Sequence, residues 1–260
     1  MLKPDVLVDC FFGDLSMPER VAKIAEAGFR NIETWKNKAE DLQPLSKACT
    51  ENGVSLVSVV LSFPSAKETA LTTPSTHGAF LEAFDRNSDA ALAAGCSSGI
   101  VCTGNTDLTV NIATQKQYVI DALQKAAPIA EKKGFSIHVE ALNTKVNHAG
   151  YFLDDPNTGY EIIKAVGSSR VKLLFDIYHM QIMHGFLTNS ILDNLDLISH
   201  FHAAGVPGRH ELINNEINYR FLAEKIALSS YSGYFGLEYF PELPSADSLA
   251  GSAKLFNGLL

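Results

Sequence analysis

The sequence has few cysteines, no long apolar run and no charged leader, and each shortage excludes a class of protein. Only 4 of the 260 residues are cysteines, and no two are spaced as Cys-x-x-Cys. We therefore expect reduced cysteines in or near a core. No apolar stretch approaches the roughly 18 residues of a membrane span, and no charged leader precedes one. These features predict a cytoplasmic protein without a membrane segment.

Basic residues are also in short supply, and they are scattered. Lys and Arg together number 21 against 29 Asp and Glu, which gives a formal net charge of −8. Nucleic-acid binding depends on basic residues that neutralise phosphates, so a nucleic-acid partner is not expected. A small anionic substrate needs only one or two local cations and remains compatible with this composition.

Apolar runs with strand character alternate with helix-like patterns along the whole chain. Eight strand-like and eight helix-like segments follow one another, and no linker, low-complexity tract or charge block divides them. A (β/α)₈ barrel typically takes about 250 residues, which fits a length of 260. We predict an α/β fold that is a single (β/α)₈ TIM barrel over residues 1–260, with a doubly wound open sheet as the alternative.

Four polar residues in the C-terminal half each end or directly follow a short apolar run. They are Glu140, Asp176, His202 and Glu238, and their separations are 36, 26 and 36 residues. One strand, a crossover helix and the next strand take roughly 30 residues, so successive parallel strands would carry these side chains to the same end of a sheet. In a closed barrel, that end holds the active site. We therefore expect the four side chains to converge there.

Two glutamates, one aspartate and one histidine make an oxygen-rich set that is typical of a divalent metal site. Taken singly, each carboxylate is more simply interpreted as a helix cap or an ion-pair partner. Gathered together without a cation, the carboxylates would repel one another, so a bound metal ion explains the set better. Mixed oxygen and nitrogen ligands suit Mg²⁺ or Mn²⁺, with Co²⁺ or Fe²⁺ as further options, rather than a thiolate-bound structural zinc.

Three residues near these four are candidates for binding a substrate. His179 lies three positions after Asp176, at the start of a loop over the same end of the barrel, although it would also serve as a cap for a backbone carbonyl. Arg209 follows His202 and would clamp a carboxylate or a ketose oxygen, with a surface ion pair as the alternative. Asn143 either donates to a substrate hydroxyl or fixes its own loop.

The remaining histidines receive no functional role from the sequence. His138 and His200 lie two positions before Glu140 and His202, and we interpret both as structural residues that point away from the barrel interior. Four histidines lie in predicted loops, and their roles stay open: His77, His148, His184 and His210.

A set of short motifs in the C-terminal half is specific enough to indicate a family. The motifs are Glu140–Asn143, Gly150–Leu153, Asp176–Gln181, His200–His202, Pro207–Glu211, Glu216–Tyr219 and Gly236–Tyr239. They resemble those of the hydroxypyruvate isomerase family, within the xylose isomerase-like barrels that include sugar isomerases and epimerases. The N-terminal half matches more loosely, through Ala27–Arg30 and the pair Ile32-Glu33.

The resemblance implies a metal-dependent isomerase. It implies that Glu140, Asp176, His202 and Glu238 hold a divalent metal ion and that Glu140 and Glu238 move the substrate proton. In this chemistry the metal polarises a carbonyl, one glutamate removes the adjacent C–H proton, and a cis-enediolate forms. Hydroxypyruvate would become tartronate semialdehyde, and a similar small hydroxy-oxo acid would react in the same way. Relatives are commonly oligomeric, so a homo-oligomer stays open.

Three departures from the family pattern keep other activities open. The bacterial hydroxypyruvate isomerases have Gln where this chain has His202, whereas the ketose 3-epimerases have His. A histidine expected after the third strand is missing from Val59–Pro64, and the glycines expected in Ile213–Tyr219 are replaced. A ketose 3-epimerase acting on a free ketose is therefore the main alternative, followed by an inosose dehydratase-like lyase or a non-catalytic sugar-binding barrel. A DNA-repair nuclease would need further metal ligands and a basic surface, and the sequence shows neither.

Overall fold

The computed structural model describes residues 2–259, in which eight parallel strands close into a barrel. The strands are β1 (Lys3–Leu7), β2 (Asn31–Thr34), β3 (Ser55–Ser62), β4 (Ser98–Val101), β5 (Ser136–Glu140), β6 (Val171–Asp176), β7 (Ile198–Ala203) and β8 (Tyr234–Leu237). Each strand pairs with the next in chain order, and β8 pairs with β1 through partners such as Asp5 and Gly236. The predicted (β/α)₈ barrel is thereby confirmed, and the open doubly wound sheet is excluded.

Within the described residues, nine α-helices surround the barrel. They are α1 (Met17–Glu26), α2 (Ala39–Asn52), α3 (His77–Ala93), α4 (Ile112–Lys133), α5 (Pro156–Val166), α6 (Ile177–Met183), α7 (Leu187–Leu192), α8 (Tyr219–Ala227) and α9 (Ser245–Leu255). The sequence predicted one helix between β6 and β7, whereas the structure has two. The additional helix is α6, which begins directly where β6 ends. None of the helices formed by residues 2–259 combines the length and apolar character needed to cross a bilayer.

Local sequence signals account for where several of these helices begin and end. The backbone N–H of Ser16 donates to Glu19 Oε2 at 2.9 Å, which gives this N–H a partner at the start of α1. The side chain of Asp155 accepts from the backbone N–H groups of residues 157 and 158 at the start of α5. Gly134 ends α4 in the left-handed conformation, with φ of 67°, a backbone angle that favours glycine.

The main hydrophobic core lies between the barrel and the helices. Phe175, Phe201 and Phe235 occupy equivalent outward-facing positions on three successive strands and are fully buried. The ring of Phe235 lies 5.9 Å from that of Phe201 and 5.4 Å from that of Phe256, which follows α9. This layer of side chains ties the last strands of the barrel to the last helix.

We expect Phe235→Ala to lower the free energy of unfolding by about 3–5 kcal/mol, because it opens a cavity in a layer that cannot fully collapse. The matched control is Phe221→Ala on α8, where the side chain is 42% exposed, and we expect a loss of less than about 1 kcal/mol there. Urea unfolding of both variants measures the difference. Equal losses would contradict this description of the core.

Candidate active site

Four side chains meet at the carboxyl end of the barrel, and we call them the strand-end cluster. Glu140 and Asp176 are the last residues of β5 and β6, His202 is the second-last residue of β7, and Glu238 follows β8 directly. Each residue offers one ligand atom, and these atoms lie within 4.8 Å of one another. All four side chains are buried. The structure thus brings together the four residues that the sequence singled out, and their role as metal ligands stays a prediction.

The two ring nitrogens of His202 face different surroundings. Nδ1 lies 3.4 Å from Glu140 Oε1 and 3.2 Å from Glu238 Oε2, so it faces the strand-end cluster. Nε2 lies 2.9 Å from Oε1 of Glu33, which is fully buried on β2. Nδ1 is therefore the nitrogen that is placed to bind a cation together with the carboxylates.

The two glutamates of the cluster have opposite pKa shifts. Burial raises the pKa of Glu140 above its ordinary value, and the nearby His202 offsets this only in part. Burial also acts to raise the pKa of Glu238, but Arg209 and His202 outweigh it and hold that pKa well below its ordinary value. In the described structure, Glu140 is thus the better holder of a proton, and Glu238 is the better holder of a negative charge.

Asp176 and His202 also have shifted pKa values. Burial raises the pKa of Asp176 to about 7, despite the opposing influence of Arg209. Burial acts to lower the pKa of His202, but Glu33, Glu238 and Glu140 outweigh it and raise that pKa well above its ordinary value. A cation entering the cluster would therefore displace protons from both residues.

Arg209 lies beside the cluster and pairs with one of its members. Its guanidinium donates to Oε2 of Glu238, and its Cζ lies 5.4 Å from the centre of the Tyr178 ring. Its backbone is left-handed, with φ of 62°, and its carbonyl oxygen accepts from the backbone N–H of Phe240 at 2.9 Å. Nε of Arg209 is buried and has no hydrogen-bond partner among residues 2–259. The guanidinium of Arg209 thus lies at the site, in an ion pair with Glu238 inside the barrel mouth rather than in a surface ion pair.

His179 presents a second donor that has no hydrogen-bond partner among residues 2–259. Its Nδ1 accepts from the backbone N–H of Asn143 at 3.1 Å, which leaves the ring proton on Nε2. Burial lowers the pKa of His179 well below its ordinary value, so the ring is neutral. Nε2 lies 3.6 Å from Asp176 Oδ2 and makes no hydrogen bond within residues 2–259.

Asn143 is engaged within its own loop. Its Oδ1 accepts from the backbone N–H groups of Val146 and Asn147 at 2.9 and 3.0 Å. Its Nδ2 donates to Asn147 Oδ1 at 2.9 Å and lies 2.6 Å from His179 Nδ1. These contacts favour the loop-fixing alternative, and they orient His179. A direct contact between Asn143 and a substrate stays a prediction.

Two residues that the sequence analysis missed also contact the cluster. Nε1 of Trp35, directly after β2, donates to Glu238 Oε1 at 3.1 Å. The Sγ of Cys102, directly after β4, lies 4.0 Å from Glu140 Oε2, and burial raises the pKa of this thiol well above its ordinary value. The strand-end rule that selected the cluster would have found both residues if it had been applied to β2 and β4.

A cavity of about 250 Å³ opens onto the strand-end cluster. Its lining includes the apolar side chains of Trp35, Phe63 and Leu142, together with Arg209 and His148. A larger cavity of about 690 Å³ lies among the loops after β7 and β8, but no member of the cluster lines it. The smaller cavity is therefore the one that places a small molecule against the charged groups.

Three of the four histidines left open by the sequence contact groups away from the cluster. His77 Nε2 lies 2.9 Å from the carbonyl oxygen of residue 71, and His184 Nε2 lies 3.1 Å from Asp155 Oδ1. His210 Nδ1 lies 2.8 Å from the carbonyl oxygen of residue 240. His148, in contrast, lines the cavity at the cluster.

The expectation that His138 and His200 point away from the barrel interior is wrong. His200 on β7 lies 3.3 Å from Glu33 on β2, a contact that crosses the inside of the barrel. The ring of His138 lies 5.2 Å from that of His200. Residues two positions apart on a strand point to the same face, so both histidines share the face of Glu140 and His202.

These two histidines belong to a polar layer beneath the cluster, which we call the interior polar group. It consists of Asp5, Glu33, Ser58, His138 and His200, all of them buried. Burial raises the pKa of Asp5 well above its ordinary value, and Glu33 raises it further. Burial acts to raise the pKa of Glu33 as well, but His202 and His200 outweigh it and lower that pKa to about 2. Glu33 therefore carries the negative charge of this layer.

Comparison with known proteins gives related enzymes over nearly the whole chain. The sequence is 29% identical over 241 residues to a 2-oxo-tetronate isomerase of Pectobacterium atrosepticum, which covers 92% of each chain. It is 27% identical over 245 residues to the hydroxypyruvate isomerase of Escherichia coli, with 93% of this chain and 95% of that protein covered.

A solved structure agrees with the barrel described above. The crystal structure of an AP endonuclease, family 2, from Brucella melitensis superposes with a TM-score of 0.90 at 26% identity and covers 98% of this chain and 99% of its own. Residues 21–257 match the family model described as the xylose isomerase-like TIM barrel. The chain therefore belongs to the xylose isomerase-like TIM barrel family.

Proposed function

We propose that this protein is a divalent-cation-dependent isomerase that interconverts hydroxypyruvate and tartronate semialdehyde, or a similarly short hydroxy-oxo acid, through a cis-enediolate. The observation that carries the proposal is the pair of buried glutamates on one small cavity, Glu140 and Glu238, whose pKa values shift in opposite directions. The names of the curated relatives, which are isomerases of short oxo acids, support the same class.

The strand-end cluster fits a divalent cation. Three carboxylates and the Nδ1 of His202 form a mixed oxygen and nitrogen donor set, buried and within ligand range of one another. Mg²⁺ and Mn²⁺ suit such a set best, with Co²⁺ and Fe²⁺ as further options. When bound, the cation would polarise the oxo group of the substrate and so acidify the neighbouring C–H bond.

The two glutamates divide the proton transfers between them. Glu238, held ionised by Arg209 and His202, accepts the proton from the hydroxymethyl carbon of hydroxypyruvate. Glu140, whose pKa is raised by burial, exchanges the proton between the two oxygens of the enediolate. Return of a proton to the former oxo carbon gives the aldehyde product. Trp35 keeps the Glu238 carboxylate in place through its Nε1–H.

Arg209 and His179 are suited to hold the substrate. Arg209 supplies a positive charge beside the cavity, and its Nε has no partner within residues 2–259. The neutral His179 offers an Nε2–H donor that likewise has no hydrogen-bond partner within residues 2–259. A substrate carboxylate or hydroxyl oxygen would satisfy these buried donors, which are costly to leave unpaired.

The relatives whose names give them as isomerases of short oxo acids favour a short acid over a hexulose. A ketose 3-epimerase remains the second candidate. His202 supports it, since ketose 3-epimerases have histidine at this position, and so does the presence of two glutamates that would act on opposite faces of a substrate. An inosose dehydratase-like lyase and a non-catalytic barrel have no such support.

We expect Glu140→Gln and Glu238→Gln each to lower the rate of substrate proton exchange by about 10²–10⁴-fold, because an amide cannot accept or deliver the proton. The measurement follows deuterium entry from D₂O by NMR, with hydroxypyruvate labelled with ¹³C at the hydroxymethyl carbon. That carbon becomes the aldehyde carbon of the product. Glu161→Gln is the matched control, since Glu161 lies on α5 and pairs at the surface with Lys116.

The same assay separates the candidate activities. Parallel reactions contain D-fructose, D-tagatose or L-ribulose, with and without Mn²⁺, and a reaction without protein corrects for spontaneous exchange. Exchange with hydroxypyruvate alone supports the proposal. Exchange with a ketose and none with hydroxypyruvate would instead assign an epimerase.

We expect the Mn²⁺ affinity of the protein to fall by at least about tenfold between about pH 8 and about pH 6. The bound cation needs unprotonated ligands, and the pKa of Asp176 is raised to about 7, so the proton competes with the cation at the lower pH. Titration with Mn²⁺, followed by the EPR signal of the free ion, measures the affinity. An affinity that is independent of pH would contradict the assignment of Asp176 as a ligand.

A further inference from the structure

Glu33 reaches from one side of the barrel to the other. It lies on β2, whereas His200 and His202 lie on β7, and β8 and β1 separate these two strands. Oε1 of Glu33 is 2.9 Å from His202 Nε2, and Oε2 is 3.3 Å from His200 Nε2, as close contacts that lack hydrogen-bond geometry. The side chain is fully buried. One carboxylate therefore contacts both histidines of β7 from beneath the strand-end cluster.

The neighbouring strand leaves space for this contact. A Cβ atom at Gly236, on β8, would lie 2.5 Å from Glu33 Oε1 and 2.8 Å from His202 Cδ2. Real Cβ atoms do not approach other atoms so closely, so a side chain here would displace either the carboxylate or the imidazole. The absence of a side chain at residue 236 is thus a condition for the contact between Glu33 and His202.

We infer that Glu33 is a positioning residue, which holds the Nε2 side of His202 so that Nδ1 is directed at the cation site of the strand-end cluster. Histidines that bind metals usually contact a carboxylate or a carbonyl through their other ring nitrogen, and this contact fixes the ring orientation and the position of its proton. The inference rests on the proposed function, because it assumes that a cation binds at Nδ1. On the side of Glu33 away from the cluster, His200 contacts Glu33, and Asp5 Oδ2 lies 3.9 Å from His200 Nε2.

We expect Glu33→Ala to weaken Mn²⁺ binding by about 10–100-fold, because a ring free to turn loses the fixed direction of Nδ1. Glu33→Gln keeps an oxygen acceptor of similar length and should restore part of the affinity. Gly236→Ala disturbs the same contact from β8 and should weaken binding as well. The matched control is Ser58→Ala, at a fully buried position paired with Glu33 in register, for which we expect wild-type affinity.

The readout is the dissociation constant of Mn²⁺ for folded protein, measured by EPR of the free ion and by the fluorescence of Trp35, the only tryptophan in the chain. Thermal unfolding of the metal-free variants is recorded alongside. A merely structural role for Glu33 would lower the melting temperature and leave the Mn²⁺ affinity of folded protein unchanged.

The outcomes separate this inference from the proposed function. Weakened binding in Glu33→Ala and Gly236→Ala, with partial recovery in Glu33→Gln, supports the positioning role. Wild-type affinity in all three variants overturns it and leaves the proposed function standing. If Glu33→Ala fails to fold, Glu33→Gln and Gly236→Ala decide. Failure of the wild-type protein to bind Mn²⁺ overturns both proposals.

Discussion

Repulsion among three buried carboxylates is the constraint on which the rest of this structure depends. Glu140, Asp176 and Glu238 offer ligand atoms within 4.8 Å of one another, and all three side chains are buried. Such a set is stabilised when a proton or a nearby positive charge offsets the repulsion. Arg209 supplies part of this positive charge through its pair with Glu238, and His202 supplies more. His202 lies in β7 and Arg209 lies in the loop that follows it, so these two residues balance the negative charge of the carboxylates at the ends of β5, β6 and β8.

Buried charged and polar groups that need partners also lie beneath the cluster. Many barrels fill their interior with branched apolar residues, whereas here an interior layer holds Asp5, Glu33, Ser58, His138 and His200. Burying these groups costs stability unless they find partners. The apolar layer between strands and helices, which includes Phe175, Phe201 and Phe235, offsets that cost. The protein thus separates its two tasks, with stability in the outer layer and charge in the barrel.

The fold and the cluster could be predicted from the sequence because both depend on periodicity. Strand-like and helix-like runs alternate, and residues that end successive parallel strands must meet at one end of the barrel. Contacts between distant strands were not predictable, since spacing along the chain does not show which side chains touch across the interior. The contact of Glu33 on β2 with His202 on β7 is of this kind. The interior position of His138 could have been predicted, because it lies two residues before Glu140 on the same strand.

The measurement that tests the central claim most directly is a crystal structure of the protein soaked in Mn²⁺, with anomalous diffraction data collected near the manganese absorption edge. The account predicts one strong anomalous peak, bounded by carboxylate oxygens of Glu140, Asp176 and Glu238 and by Nδ1 of His202. A map without a peak at this position, or with His202 turned so that Nε2 faces the carboxylates, would contradict it.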